Sequence, residues 1–506
     1  MHLKSLVKRN LAEGILVFAG AFVLIAQFLL QKYFLSDGGL NYSNIVGVPL
    51  DDVYIHCRYA ANLLSGNGYA FDPGHILSAD TSPLWVALIA IGGLFTSHLD
   101  VVAVVLSSLF YLLLAPAVYR ICRFTLNLSH SWSILGGFVT LLSSRLVWAS
   151  TSGMEISLAS FVALAILYEH VSQREAHGTI RFREGAFLAL GIAVRPELMF
   201  IAAICFIDWF LISIRERKGF GKLVAVVVVF LFGVAPVFLI PYSERGSFIY
   251  HSSVVQGARL SFVPDIGYLW FVCKVFAASF SIPVAIAFLS PFMLRGKIKL
   301  TVFKLFAFGL PLLLAFVAPQ FRHHGRYFFP IFPVLIILGI AVLEKIFSTP
   351  RWTKYIPMFR VILIAAAIFG AARGSLLSAE SARNINDQHL AAAIWVTKNV
   401  GTGERIAVDD VGAIGYFTQR KLVDLTGLMS PEIFPLQHDQ RLVWNEARRQ
   451  GATIFIIYTR LNPSFYEFAK DSLEMVKEFR VSPPLVASAD TVMSIFRVRE
   501  SANATR

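Results

Sequence analysis

The sequence predicts an α-helical polytopic membrane protein with a small α/β domain at its carboxy-terminal end, and three observations carry that prediction. The chain of 506 residues is 56% hydrophobic and 15% charged, with 44 phenylalanines, a composition that suits lipid as solvent rather than water. Apolar runs bounded by charge recur from residue 14 to residue 377, after which shorter helical and strand patterns take over. The net charge of +13 lies entirely in residues 1–379, which hold 30 Lys+Arg against 17 Asp+Glu, whereas residues 380–506 hold 15 of each. Short basic clusters flanking apolar spans fit cytoplasmic loops. They exclude a nucleic-acid surface, which needs basic residues interleaved with aromatics on a soluble face.

The apolar runs give eleven predicted spans, at 14–34, 101–119, 132–150, 154–170, 185–195, 197–214, 222–241, 267–293, 302–318, 327–345 and 358–377. A twelfth run, 83–95, has 13 residues where a helix needs about 20 to cross a bilayer, so it is assigned as re-entrant or interfacial. That choice sets the parity, and charge checks it: the clusters at Arg120 and Arg123, 174–184, 215–222, 295–304 and 345–360 then all share the side of the amino terminus, the cytoplasm. The first span follows Lys4, Lys8 and Arg9 without a small-residue cleavage site and reads as an uncleaved span. The opposite, outer face receives a long first loop at 35–100, the turn at 150–155, Arg195-Pro196-Glu197, the loop at 242–266 and the segment from Gln320.

The membrane domain is therefore 1–379 and the soluble extracytoplasmic domain 380–506. The latter is read as a helix from His389, strands from Arg405 and Lys421, a helix over 441–450, and strands from Ala452 and Val492. Gly401, Gly403, Gly412, Gly415 and Gly427 mark turns, and no GxGxxG or P-loop accompanies them, so nucleotide binding has no support. Cys57, Cys122, Cys205 and Cys273 form no CxxC pair and read as packing residues. The inverted internal repeat of many transporters is absent.

The chemistry-bearing residues collect on the outer face. Asp51 and Asp52 precede VYIHCRYAANLL, which has apolar and aromatic side chains at helical spacing and reads as an amphipathic interfacial helix. A carboxylate at a helix start stays ionised and can accept a hydroxyl proton or hold a cation; one aspartate there would serve as a cap, but a cap does not need two. Glu155, at the outer end of a span, is either a cap or an active-site acid. Arg195 and Glu197 flank Pro196, as a local ion pair or as an arginine presented to a phosphate. His323, His324, Arg326 and Tyr327 crowd the entry to a span, where phosphate or sugar contact, metal ligation and interfacial anchoring all remain open. His56 reads as a surface histidine, with a metal site as the alternative.

These residues resemble a known group, the polyprenyl-phosphate-sugar-dependent glycosyltransferases of the GT-C superfamily. The run DDVYIHCRYAANLLSGNGYAFDPG followed by TSPLW is similar to the first outer loop of terminal arabinofuranosyltransferase-like bacterial membrane proteins. Asp51, Asp52, Tyr54, Arg58, Tyr59, Asn62, Gly66, Gly68, Pro73, Gly74, Thr81, Leu84 and Trp85 match, and GME at Gly153, RPE at Arg195 and GRYFFPIFP at Gly325 follow in the expected order. The sequence departs from the pattern at Asp72, where Asn is usual, and at Ser78-Ala79-Asp80 before the Thr-Ser pair, so sugar and acceptor identity do not carry across.

The resemblance implies an inverting transfer from a polyprenyl-phosphate sugar donor to an envelope glycan or lipid acceptor, at the outer face of the bacterial inner membrane. It implies an acid of the first loop as base: Asp51 is slightly favoured over Asp52, with Glu155 assisting. Arg58, Tyr59, Thr81, Trp85, Arg195, Glu197, His323, His324, Arg326 and Tyr327 would bind substrate. The expected partners are the donor, the acceptor and membrane lipids, with no nucleic acid, and a divalent cation, Mg2+ or Mn2+, is the one cofactor class left open. A transporter or flippase, or a polysaccharide ligase, is the competing reading.

Overall fold

The computed structural model describes residues 2–36, 47–74, 76–175, 180–255, 257, 261–296, 299–317 and 323–499. Among these, seven helices are long and apolar enough to cross a bilayer: Asn10–Leu35, Leu99–Thr125, Ile156–Arg174, Pro196–Glu216, Phe220–Glu244, Lys299–Val317 and Ile356–Asn399. An eighth arises if His130–Leu141 and Ser144–Ser150, bent by 56° at their junction, are one broken span. The other three predicted spans take different forms. Residues 185–195 fall in the 12-residue helix Arg183–Val194. The run 267–293 divides into Ile266–Ala277, Ile282–Ala287 and Ser290–Met293. Pro283 and Pro291 sit in the first turns of the second and third pieces, where proline's missing N–H costs nothing.

The run 327–345 becomes Ile331–Phe347, whose 17 residues include 14 that are buried. Apolar on every side, it runs through the middle of the bundle rather than along its lipid face. Gly339 permits its closest approach, because a side chain there would strike the backbone of Pro283.

The short run assigned as non-crossing forms the helix Pro83–Gly93 of 11 residues, about 16 Å long against a hydrocarbon core of about 30 Å. It starts next to Asp80, which pairs with His56. Just past its far end, Asp100 lies within electrostatic reach of Tyr54 in the first loop and of Tyr416 in the carboxy-terminal domain. Both ends of this helix therefore lie at the same end of the molecule.

The segments predicted to share a side do meet. At one end Ser78 donates its amide to Glu244 at 2.7 Å, the His251 amide reaches the Ser78 hydroxyl at 3.1 Å, and His251 Nε2 lies 2.7 Å from the Gly427 carbonyl. At the other, Arg120 grips Glu13 through two 2.7 Å bonds, Glu344 accepts from the Ser129 amide at 2.8 Å, and Arg360 reaches the Ser131 hydroxyl at 2.8 Å.

The helix Ile356–Ile385 passes through the predicted domain boundary at 379/380 unbroken and continues through a π-turn, Asn386–Leu390, into Ala391–Asn399. The five-stranded sheet beyond has the order β2-β1-β3-β5-β4. Strands β1 (Arg405–Val408), β2 (Leu422–Asp424) and β3 (Ala452–Ile457) are parallel, while β5 (Val492–Val498) and β4 (Leu473–Arg480) add antiparallel. Four of these strands match the sequence expectation. The fifth, LEMVKEFR, is a mostly exposed edge strand whose charges hide the alternation and protect it from further pairing. Gly412 and Gly415, expected in turns, lie inside a short helix, Gly412–Thr418. They are glycines because side chains there would collide with Asp51 and with the Phe71 ring of the first loop.

Candidate active site

The helix Asp52–Leu64 buries nine of its thirteen residues, so it is not an amphipathic helix resting on lipid. It is clamped between the membrane bundle and the carboxy-terminal domain, with Tyr54 stacked on Tyr416 at 5.8 Å and edge-on to Phe417 at 5.1 Å. Asp51 precedes it without capping it. Its carboxylate turns instead to the other domain, where Oδ1 accepts from the Ala413 amide at 2.9 Å and lies 3.1 Å from His389 Nδ1. The two adjacent aspartates thus occupy different settings. Asp51 is 9% exposed and held by the outer domain, whereas the Asp52 side chain is 32% exposed and its Oδ2 lies 2.6 Å from Arg326 Nη2.

Local sequence explains how the partners arrive. Gly153 has φ +68°, and its carbonyl accepts from the Trp85 indole at 3.1 Å; the turn so formed presents Glu155 at the head of Ile156–Glu175. Arg195 is extended, at φ −154° and ψ 131°, because the proline that follows disfavours helix at the residue before it. The chain leaves Arg183–Val194 there and re-enters helix through Pro196–Leu198, which places Arg195 and Glu197 on one side. Gly325, at φ +84° and packed against the Phe328 ring, sets the turn His323–Phe328 from which Arg326 projects.

These groups form one chain of charge. Asp80 pairs with His56 Nδ1, His56 Nε2 lies 3.2 Å from Glu155 Oε2, and the other Glu155 oxygen pairs with Arg195. Arg195 also holds Glu197 by bonds of 3.1 and 2.7 Å. The Arg195 and Arg326 guanidinium carbons lie 5.1 and 5.6 Å from the centre of the Tyr327 ring, within cation–π range. Burial disfavours the charged imidazole of His56, but the carboxylates of Asp80 and Glu155 outweigh it and push its pKa up to about 10. Burial likewise opposes ionisation of Glu155, yet Arg195 and His56 hold it well below the usual carboxylate range. The result is a dry ion network in which His56 is a cation at neutral pH, not a surface histidine.

Arg195 is heavily engaged, with each of its three guanidinium nitrogens donating to Glu155 or Glu197. Arg326 is different. It is buried, and its Nε and Nη1 have no hydrogen-bond partner among the described residues; burial works against its charge, but Asp52 keeps its pKa above the ordinary arginine value.

Other expected substrate-binding residues hold the loop itself. Arg58 donates to the Phe71 carbonyl at 3.0 Å and also engages Gln419, Tyr59 donates to the Leu77 carbonyl at 2.8 Å, and Trp85 bonds Gly153. All three are buried, and Thr81 is half-buried in the turn before Pro83–Gly93. The side chains of His323 and His324 lie outside the described residues.

Sequence reasoning missed Asp80, His389, Asp410 and Tyr458. His389 lies on the π-turn and its Nε2 is 2.9 Å from the Tyr458 hydroxyl, which donates to Asp410 Oδ2 at 3.1 Å. Only the order VDD at 408–410 hinted at Asp410.

Three donors of metal-ligand type come within 4.8 Å of one another, among the described residues, at His170, Glu184 and Cys205. This group is far along the chain from the first-loop acids and already closed by bonds of its own: His170 lies 2.6 Å from Glu184 and 3.0 Å from Asp208, while the Trp209 indole donates to Glu184 at 2.8 Å. Among the described residues, the first-loop carboxylates make no such group.

Among known proteins, a family described as a domain of unknown function, DUF8728, matches residues 383–496. No curated protein matches the chain. Solved structures do. ArnT from Cupriavidus metallidurans in the apo state superposes with a TM-score of 0.57 at 11% identity, covering 94% of this chain and 97% of that one. The same protein bound to undecaprenyl phosphate gives 0.58 at the same identity and coverage. The arabinofuranosyltransferase AftD from Mycobacteria, 16% identical, gives 0.47 over 95% of this chain and 40% of its own. The chain therefore shares the fold of ArnT over nearly the whole of both chains.

Proposed function

We propose that the protein is an inverting membrane glycosyltransferase that moves a sugar from a polyprenyl-phosphate donor to an envelope glycan or lipid acceptor at the outer face of the bacterial inner membrane. The observation that carries this reading is the pair of Asp52 and Arg326, 2.6 Å apart, a partly exposed carboxylate beside a buried guanidinium with two unbonded nitrogens. A phosphate monoanion is the ligand such a guanidinium fits, and ArnT, whose fold this chain shares, has been solved bound to undecaprenyl phosphate.

In the proposed step Asp52 takes the proton of the acceptor hydroxyl while the acceptor oxygen bonds to the anomeric carbon from the face opposite the lipid. The bond from that carbon to the phosphate oxygen breaks, its electron pair leaves on the phosphate, and Arg326 neutralises the charge that develops. On this reading Asp52 rather than Asp51 is the base, supported by the engagement of Asp51 with the Ala413 amide and His389. The main phosphate contact then falls to Arg326, whose Nε and Nη1 have no partner among the described residues, and Arg195 has the task of fixing Glu155.

The test is the purified protein supplied with a polyprenyl-phosphate sugar and a detergent extract of envelope from cells lacking it. Release of polyprenyl phosphate together with incorporation of sugar is expected, and both should be lost in Asp52→Asn. Binding of the donor without any cleavage, as a transporter or flippase would show, overturns the proposal.

A further inference from the structure

The carboxy-terminal domain brings one side chain to this site that the first loop cannot supply. Asp410 follows β1, and its side chain is 38% exposed although the residues around it are buried. One oxygen is fixed, accepting from the Tyr458 hydroxyl at 3.1 Å and lying 3.8 Å from His389 Nε2. The other nitrogen of the same imidazole is 3.1 Å from Asp51, so a single ring spans the distance between the domain's acid and the pair in the first loop. His389 and Tyr458 are themselves buried and aligned by the helix that runs out of the membrane and by the end of β3.

An acid held on one side by a buried tyrosine and histidine and open on the other has the form of a hydroxyl-binding group. Sugars are rich in hydroxyl donors, and carboxylates accept from them through charge-assisted hydrogen bonds. The leaving phosphate needs cations, and those lie on the opposite side of Asp52, at Arg326. Asp51 and Asp410, facing one another across the His389 ring, would repel a phosphate but welcome a neutral polyol. Placement therefore gives the site a cationic donor side at Arg326 and an anionic side where the outer domain adds Asp410 to Asp51.

We infer that Asp410 binds a hydroxyl of the acceptor sugar, so that the carboxy-terminal domain selects the acceptor while the membrane domain handles the donor. This rests on the glycosyltransferase reading and is tested so that the two can fail separately. Full-length Asp410→Asn is assayed with the polyprenyl-phosphate sugar and with varied amounts of the envelope extract described above. The half-saturating amount of extract should rise about tenfold, the scale of one lost charged hydrogen bond, while donor KM and the slow release of polyprenyl phosphate without extract stay unchanged. Tyr458→Phe, which removes the hydroxyl that fixes Asp410 but keeps the ring, should move the same quantity in the same direction by less. Unchanged half-saturation in Asp410→Asn, or a rise in donor KM of equal size, overturns the inference and leaves the glycosyltransferase reading standing. Loss of all donor cleavage in a variant whose thermal unfolding matches the parent places Asp410 in the chemical step and also overturns it. If the parent protein never cleaves the donor, both fall together.

Discussion

Asp52 Oδ2 and Arg326 Nη2 lie 2.6 Å apart, joining the first outer loop to the turn that precedes the central helix Ile331–Phe347. The pair holds the proposed base in place while no substrate is present. A phosphate that engages Arg326 competes with Asp52 for the same cation, so arrival of the donor loosens that hold.

Asp52→Asn should therefore lower turnover by at least about 100-fold, the lower bound for removal of a positioned base. Asp51→Asn should cost less, since an amide oxygen can still accept from the Ala413 amide. Rates of polyprenyl phosphate release from the two variants decide the matter, and the reverse order would return the role of base to Asp51.

Arg326→Lys keeps the charge but loses the planar fork and should raise donor KM, while Arg326→Gln should cut kcat/KM by roughly 100-fold to 1,000-fold. Steady-state kinetics at varied donor read both. A normal donor KM in Arg326→Lys together with normal kcat/KM in Arg326→Gln would exclude phosphate contact.

His56→Gln leaves Asp80 and Glu155 each short of a buried partner, and should destabilise the protein by about 3–5 kcal/mol. The pH dependence has a definite sign. A folded pKa raised to about 10 gives stabilisation that is complete below the unfolded value near 6.5 and is lost as pH rises through 10. Thermal unfolding in detergent between pH 6 and 10 should show this decline in the parent, and His56→Gln should flatten it.

Acceptor use should fail on acidification. Burial, with Asp51 and Asp52 adding to it and His389 and the Tyr458 hydroxyl opposing, pushes the pKa of Asp410 up to about 6. Below that value Asp410 is protonated and ceases to be a charged acceptor, so the half-saturating amount of envelope extract should climb between pH 7 and pH 5. In Asp410→Asn that climb should vanish, and its persistence would assign the acid limb to another group.

The sequence was most legible where a residue and its consequence are near each other in the chain. Arg195-Pro196-Glu197 carries its own bend and ion pair, and the positive-φ glycines before Glu155 and Arg326 sit within two residues of the groups they present. Charge in the loops sorted the segments to the two ends without any tertiary information. His56 was misjudged because its burial depends on two acids, Asp80 and Glu155, one of them in another segment. Asp410 and His389 were invisible as site residues since only the docking of Gly412–Thr418 onto Asp51 brings them near the first loop. The expected preference for Asp51 failed to anticipate the same contact. Span counting suffered from the opposite problem: hydropathy reads Ile331–Phe347 as lipid-facing and reads 267–293 as continuous, when one is buried core and the other is broken at prolines.

The helix Ile356–Asn399 spans 44 residues, about 65 Å at the α-helical rise, roughly twice the hydrocarbon thickness of a bilayer. It ends beside the site, with His389 against Asp51. Such a rod is a lever with its fulcrum in lipid. A thicker or thinner membrane changes the tilt at which it sits, and the displacement passes to the aspartates through the π-turn Asn386–Leu390 that carries His389. Membrane thickness thereby becomes an input to the proposed transfer, and turnover in nanodiscs of graded acyl length should pass through a maximum.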